Sequence, residues 1–209
     1  MFSFVALITN RKYWTIHSLI VKVILIIYGI KVGKNFYIEG VPKLKIKGSP
    51  HDILIGNSVS VLGNIDIRNR ENGKIIIEDG VTIDNDCRLV AANDAVLRIG
   101  KRTSIGCFCI FNCGVNVTIG EDCLISGMVH IQSSQHGFVR GELIRTQRHS
   151  YGEIVIGNDV WIAANATILM GSVIDDGCVV GAKTLVIKGY YEKNSVLAGI
   201  PAKKIKERV

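Results

Sequence analysis

A period of six runs through this chain and limits its folds more than any other feature. From Ile55 onward, large apolar residues recur at every sixth position: Ile55, Val61, Ile67; Ile77, Ile83, Leu89; Ile99, Ile105, Phe111; Ile119, Ile125, Ile131. The last run is unbroken: Ile156, Ile162, Ile168, Ile174, Val180 and Val186. All 18 positions are apolar and 13 are Ile, although the chain is only 48% apolar. A period of six matches neither the 3.6 of a helix nor the 2 of a simple strand. It fits a short strand plus a corner, three of which close a triangular turn, with turns stacked at about 4.8 Å. The pattern therefore predicts an all-β parallel β-helix, a solenoid in which each turn contacts only its neighbours.

A second slot, four residues after each large one, holds small or β-branched residues: Val59, Val81, Cys87, Thr103, Cys109, Val115, Cys123, Val129, Val160, Ala166, Ser172, Cys178 and Thr184. Four of the six cysteines fall here and read as compact apolar fillers of a corner, free thiols in a reducing cytoplasm. Cys107-x-Cys109 lacks a second pair and makes a poor zinc site. The slot is broken by Glu71, Asn93, Gln135 and Tyr190, each where the strict register lapses. Extra residues therefore leave the prism at one corner, most of all over 137–155.

Residues Ile16 to Ile30 are apolar but interrupted by His17 and Lys22, and are too few for the roughly 20 needed to cross a bilayer. They predict an amphipathic helix that docks on protein, on a neighbouring subunit or on a membrane surface. The opening MFSFVALITN has neither the basic start nor the cleavage site of a secretory signal. The expected organisation is a helical segment over 1–34, the β-helix over 35–191 and a tail over 192–209. The net charge of +7 invites anionic partners. With 7% aromatics and no run of five like charges, nucleic acid is not among them.

The segments IVIGNDVWIAANATILMGSVIDDGCVVGAKTLVIKG (154–189) and SVLAGIPAKKIK (195–206), with Ser133-Ser134-Gln135-His136-Gly137 upstream, resemble the hexapeptide-repeat acetyltransferases. The likeness is to the galactoside, maltose and polysaccharide O-acetyltransferase branch. It implies a left-handed β-helix, acetyl-CoA as donor, a sugar hydroxyl as acceptor, no metal, and a homotrimer with sites between subunits. Ala163, Thr184 and Tyr190 depart from the branch's usual residues, and Ser134 stands where related enzymes often carry an Asp that orients the His.

On this resemblance His136 is the expected general base, placed where the longest excursion departs. Imidazole titrates near neutral pH, which suits it to take a proton from an attacking hydroxyl. Asn112, Ser134 and Arg145 are expected at the acceptor. Trp161, Ala164, Ala182, Lys188, Lys203 and Lys206 are expected along acetyl-CoA, the lysines near its phosphates. Three arginines in 137–153, Arg145 among them, would suit an anionic sugar. The expected location is the cytoplasm or the inner face of its membrane, and the expected acceptor a surface polysaccharide or its precursor. Sugar N-acetylation and a non-catalytic scaffold are the alternatives. A β-helical carbonic anhydrase is disfavoured, because His130 and His136 lie one residue too far apart for its zinc pair.

Overall fold

The computed structural model describes residues 12–209. The MFSFVALITN segment, and with it the reading of a missing signal, lies outside those residues. The chain forms a three-sided parallel β-solenoid of about seven turns. Its walls are parallel sheets of eight and seven strands, and a nine-stranded sheet whose last strand alone is antiparallel. Each turn contributes one strand to the first face, one to the second and one to the third. The second edge lies between the second and third faces, and the third edge between the third and first.

The six-residue columns form the core. On the first face Ile55, Ile77, Ile99, Ile119, Ile156 and Ile174 stack in direct register, turn upon turn. All 18 predicted positions are buried. Of the small slots, every one except half-buried Val115 is buried too. Cys87, Cys109, Cys123 and Cys178 are free thiols inside the prism, and burial pushes the Cys123 and Cys178 thiols up.

Corners are tight because layers touch there through backbone. A Cβ on Gly120 would stand 2.4 Å from the carbonyl oxygen of Gly157 in the next turn. No side-chain movement relieves a clash with a main-chain atom. We expect Gly120→Ala to cost roughly 1–3 kcal/mol, the range of overpacked sites, read from urea unfolding.

The solenoid begins earlier than the repeat suggested. Strands Lys31–Val32, Tyr37–Ile38 and Pro42–Ile46 pair with Ile53–Ile55, Ser60–Val61 and Ile65–Asn69, so Val32, Ile38 and Leu44 extend the three columns. The first paired strand thus lies within 1–34. At the other end Ser195–Ala198 continues the second face, and Lys203–Glu207 folds back against it as an antiparallel edge.

A helix over Lys12–Ile27 closes the first turn. It starts and stops before the expected Ile16 to Ile30. Gly29, at φ +104, ends it: the N–H groups of Gly29 and Ile30 donate to the carbonyls of Ile26 (3.0 Å) and Leu25 (2.9 Å). This is a left-handed glycine terminus, with Leu25 and Ile30 buried on either side of it. The helix also caps open sheet edge. The Ser18 hydroxyl accepts from the Ile38 N–H (2.8 Å), His17 Nε2 meets Gly40 O (2.9 Å) and Lys22 Nζ donates to Gly33 O (2.6 Å).

Candidate active site

The excursion starts at a buried hydroxyl. Strand His130–Gln132 lies on the third face with Ile131 inward. The next residue, Ser133, is buried. Its Oγ accepts from the N–H groups of Gly114 (3.0 Å) and Val115 (3.1 Å) and donates to Val115 O (3.0 Å). Beyond this anchor the chain departs at the third edge. Strand Ser134–His136 pairs antiparallel with His149–Tyr151, setting His136 opposite His149. The prism resumes at Ile154, which pairs with Val117, so 154 and 155 are already back in the wall. The excursion is thus a hairpin with an ordered tip. Gln147 Nε2 donates to the carbonyls of Val139 (2.9 Å) and Glu142 (3.1 Å), while its Oε1 accepts from Val139 N–H (2.7 Å).

The two imidazoles meet. His136 Nε2 and His149 Nε2 are 3.1 Å apart, and the ring centroids 3.9 Å. A single proton joins such nitrogens: one ring donates and the other accepts. The Tyr151 ring lies 6.2 Å beyond that of His149. His136 is exposed in the protomer. His130 differs in kind. It sits in the wall of the third face, half-buried, where desolvation pulls its pKa down. His136, by contrast, has left the wall for the hairpin.

The acceptor candidates partly converge. Asn112 points outward from the third face and lies beside Gln132 of the next turn. Gln132 Nε2 donates to Ser134 O (2.8 Å), bracing the base of the hairpin. Asn112, Ser134 and His136 therefore follow one another toward the third edge. Arg145 does not join them; it is exposed in the short turn Ile144–Thr146 at the tip. Sequence reasoning gave no role to His149 or Gln132. Gln132 was findable from its place one turn beyond Asn112. His149 faces His136 only because the hairpin closes in this register.

The donor candidates lie elsewhere on the prism. Trp161 points outward from the second face, 48% exposed, and its Nε1 donates to Ser126 Oγ (3.2 Å). It belongs to an outward column with Leu124, Val179, Val196 and Lys206. Ala164 and Ala182 occupy successive turns of the second edge, where Ala164 O accepts from Lys183 N–H (3.0 Å). Lys203 stands in the closing strand with Lys206. Lys188 is separate, exposed and lying over Gly171 at the third edge. Five of the six donor candidates thus share the second face and its edge, whereas His136 stands at the third.

A hollow of about 590 Å³ also follows the second edge in the early turns, lined by Asn64, Asp66, Arg88, Phe108 and Ile110 among others. It lies away from the histidine pair. Its Asp66 is bound to Arg68 (2.6 Å) and Arg88 (3.2 Å), and the Arg68 contact holds the carboxyl below its usual range. Further along this edge, Phe108 and Met128 carry large apolar side chains at left-handed positions (φ 59 and 63) and are half-exposed. Among the described residues no three His, Cys, Asp or Glu groups gather where a metal ion could bind.

Comparison with known proteins places these features in context. The family model described as "Bacterial transferase hexapeptide (six repeats)" matches residues 153–188. The putative lipopolysaccharide biosynthesis O-acetyl transferase WbbJ of Escherichia coli K12 is 32% identical over 148 residues, covering 66% of this chain and 74% of that protein. The galactoside O-acetyltransferase of the same organism is 37% identical over 91 residues, 44% of each chain. Among solved structures, the polysialic acid O-acetyltransferase OatWY superposes with a TM-score of 0.58 at 27% identity, covering 86% of this chain and 88% of that one.

Proposed function

This chain is an acyltransferase of the bacterial hexapeptide-repeat family that acts on sugars, and from that premise we propose that it transfers acetyl from acetyl-CoA to a hydroxyl of a surface polysaccharide or its precursor. The observation that carries the reading is the exposed His136, mounted on a hairpin that starts at Ser134 and leaves the face bearing Asn112. Its imidazole takes the proton as the sugar oxygen attacks the thioester carbonyl. The tetrahedral oxyanion collapses, the C–S bond breaks, and the leaving sulfur receives the proton. The sugar gains an ester and CoA leaves as the thiol. His149 acts as a positioning residue: its Nε2, 3.1 Å from that of His136, fixes the ring that the absent Asp would otherwise orient.

The donor-side residues support a site made between copies. Trp161 on the second face and Ala164 and Ala182 on its edge stand apart from His136 at the third edge, so the acetyl group reaches the imidazole only if another copy supplies one of the two halves. Both halves carry exposed apolar surface: Phe138, Val139, Leu143 and Ile144 in the excursion, and Phe108 and Met128 on the second edge. A third-edge patch meeting a second-edge patch is a heterologous contact, which makes a ring where its rotation closes. Three copies suit a three-sided prism.

Two experiments test this reading. Release of free CoA thiol from acetyl-CoA should depend on a sugar, with the ester found on a hydroxyl; if only amino sugars accept, N-acetylation replaces it. The double variant Phe108→Asn/Met128→Asn places at left-handed corners a residue that tolerates them. We expect it to leave thermal stability of the protomer fold intact while lowering the mass measured by light scattering from trimer to monomer.

A further inference from the structure

We propose that the helix-capped end of the solenoid docks on an anionic lipid bilayer, with the Lys12–Ile27 helix lying in the plane of the membrane surface. The first observation is the helix itself. Val21 and Leu25 face the core, yet Ile16, Leu19, Ile20, Val23 and Ile27 on the other side are at least 55% exposed. A helix whose outer side is apolar as well as its core side is ordinarily covered on both. Its 16 residues extend only about 24 Å, short of the roughly 30 Å bilayer core. No helix among the described residues is long and apolar enough to cross a membrane, so this one lies flat.

The second observation is where the charge sits. Residues 48–209 contain 17 basic and 17 acidic side chains, so the whole net charge of +7 belongs to the first 47 residues. Over 12–47 there are seven lysines and one acid, Glu39, which accepts a hydrogen bond from Tyr37 (2.7 Å). Lys31, Lys34, Lys43, Lys45 and Lys47 are exposed and all belong to the first turn, the layer capped by the helix. Lys31 is on the first face, Lys34 at the following corner, and Lys43 and Lys45 on the third. The cations thus fringe the apolar helix from more than one side of the prism.

An apolar centre with a basic rim suits a bilayer bearing anionic headgroups. A second copy meeting this one end to end would bring two such rims together and be repelled. Docking here would set the solenoid axis upright. Four layer steps separate the first turn from the turn that launches the hairpin, which sets the base of the hairpin about 19 Å beyond the first turn at ~4.8 Å per step, on the side away from the helix. The docking itself does not depend on the proposed chemistry.

The test is flotation of the full chain with vesicles of phosphatidylethanolamine and phosphatidylglycerol, and separately of phosphatidylcholine. We expect binding to the anionic vesicles, weakened by salt. Val23→Glu/Ile27→Glu, on the exposed side and outside the active site, should abolish binding with the melting curve unchanged. Replacing Lys31, Lys34, Lys43 and Lys45 with Gln should lower partitioning by about tenfold or more. The proposal is overturned if the full chain floats with neither vesicle, or if binding survives Val23→Glu/Ile27→Glu. It is equally overturned if that variant lowers the particle mass of a chain that binds no lipid, which would make the helix an interface between copies.

Discussion

Replacing His136 with alanine is expected to slow acetyl transfer by roughly 10²–10⁴-fold, the usual contribution of a general base. The residue is exposed on a hairpin, so its loss should leave the melting temperature and the circular dichroism unchanged. Affinity for acetyl-CoA should also persist, because the donor candidates lie on another face. A variant that retains full rate would remove the imidazole from the mechanism. His149 gives a second, graded readout. His149→Ala should lower kcat less than His136→Ala does, with KM for the sugar nearly constant. His149→Gln retains an amide oxygen able to accept from His136 Nε2–H, which leaves Nδ1 free as the base, and should recover part of the rate. Equal losses in both variants would show that His149 merely fills space.

The second large effect is on stability. Among the described residues Phe111 is the largest fully buried side chain, and its partners in register are Leu89 in the turn before and Ile131 in the turn after. Phe111→Ala should cost about 3–5 kcal/mol, because rigid stacked turns on either side cannot collapse into the space. Urea unfolding reads this as a lower midpoint at a similar slope. The position also reports on the site. Asn112 follows Phe111, and Ile131 precedes Gln132, which braces Ser134. A loosened turn should therefore weaken sugar binding even below the melting temperature. A cost under about 1 kcal/mol would mean that the columns do not bear the packing assigned to them.

How far the sequence could be read differs from one element to the next. The prism was legible because each inward column repeats one local choice many times, so a single exception does not hide it. The first turn was not. Phe36 occupies its small slot, tolerated where the helix replaces a further layer, and the short turn Pro50–Asp52 upsets the spacing before Ile55. Within the site, the corner that His136 leaves was legible from the lapse in register, and the role proposed for it rests on its motif. Its neighbour was not, because no periodic signal runs through 137–148.

The amino-acid sequence by itself therefore determined the parallel solenoid, its inward columns, the place of the cysteines and the edge from which the excursion leaves. All of these follow from short-range rules repeated at every turn. Only the tertiary structure decided the pairing of His136 with His149, the separation of the donor residues from that pair, and the apolar helix face left bare beside a lysine rim. Each of those depends on a single long-range contact, made once, and a pattern that occurs once has no period by which to announce itself.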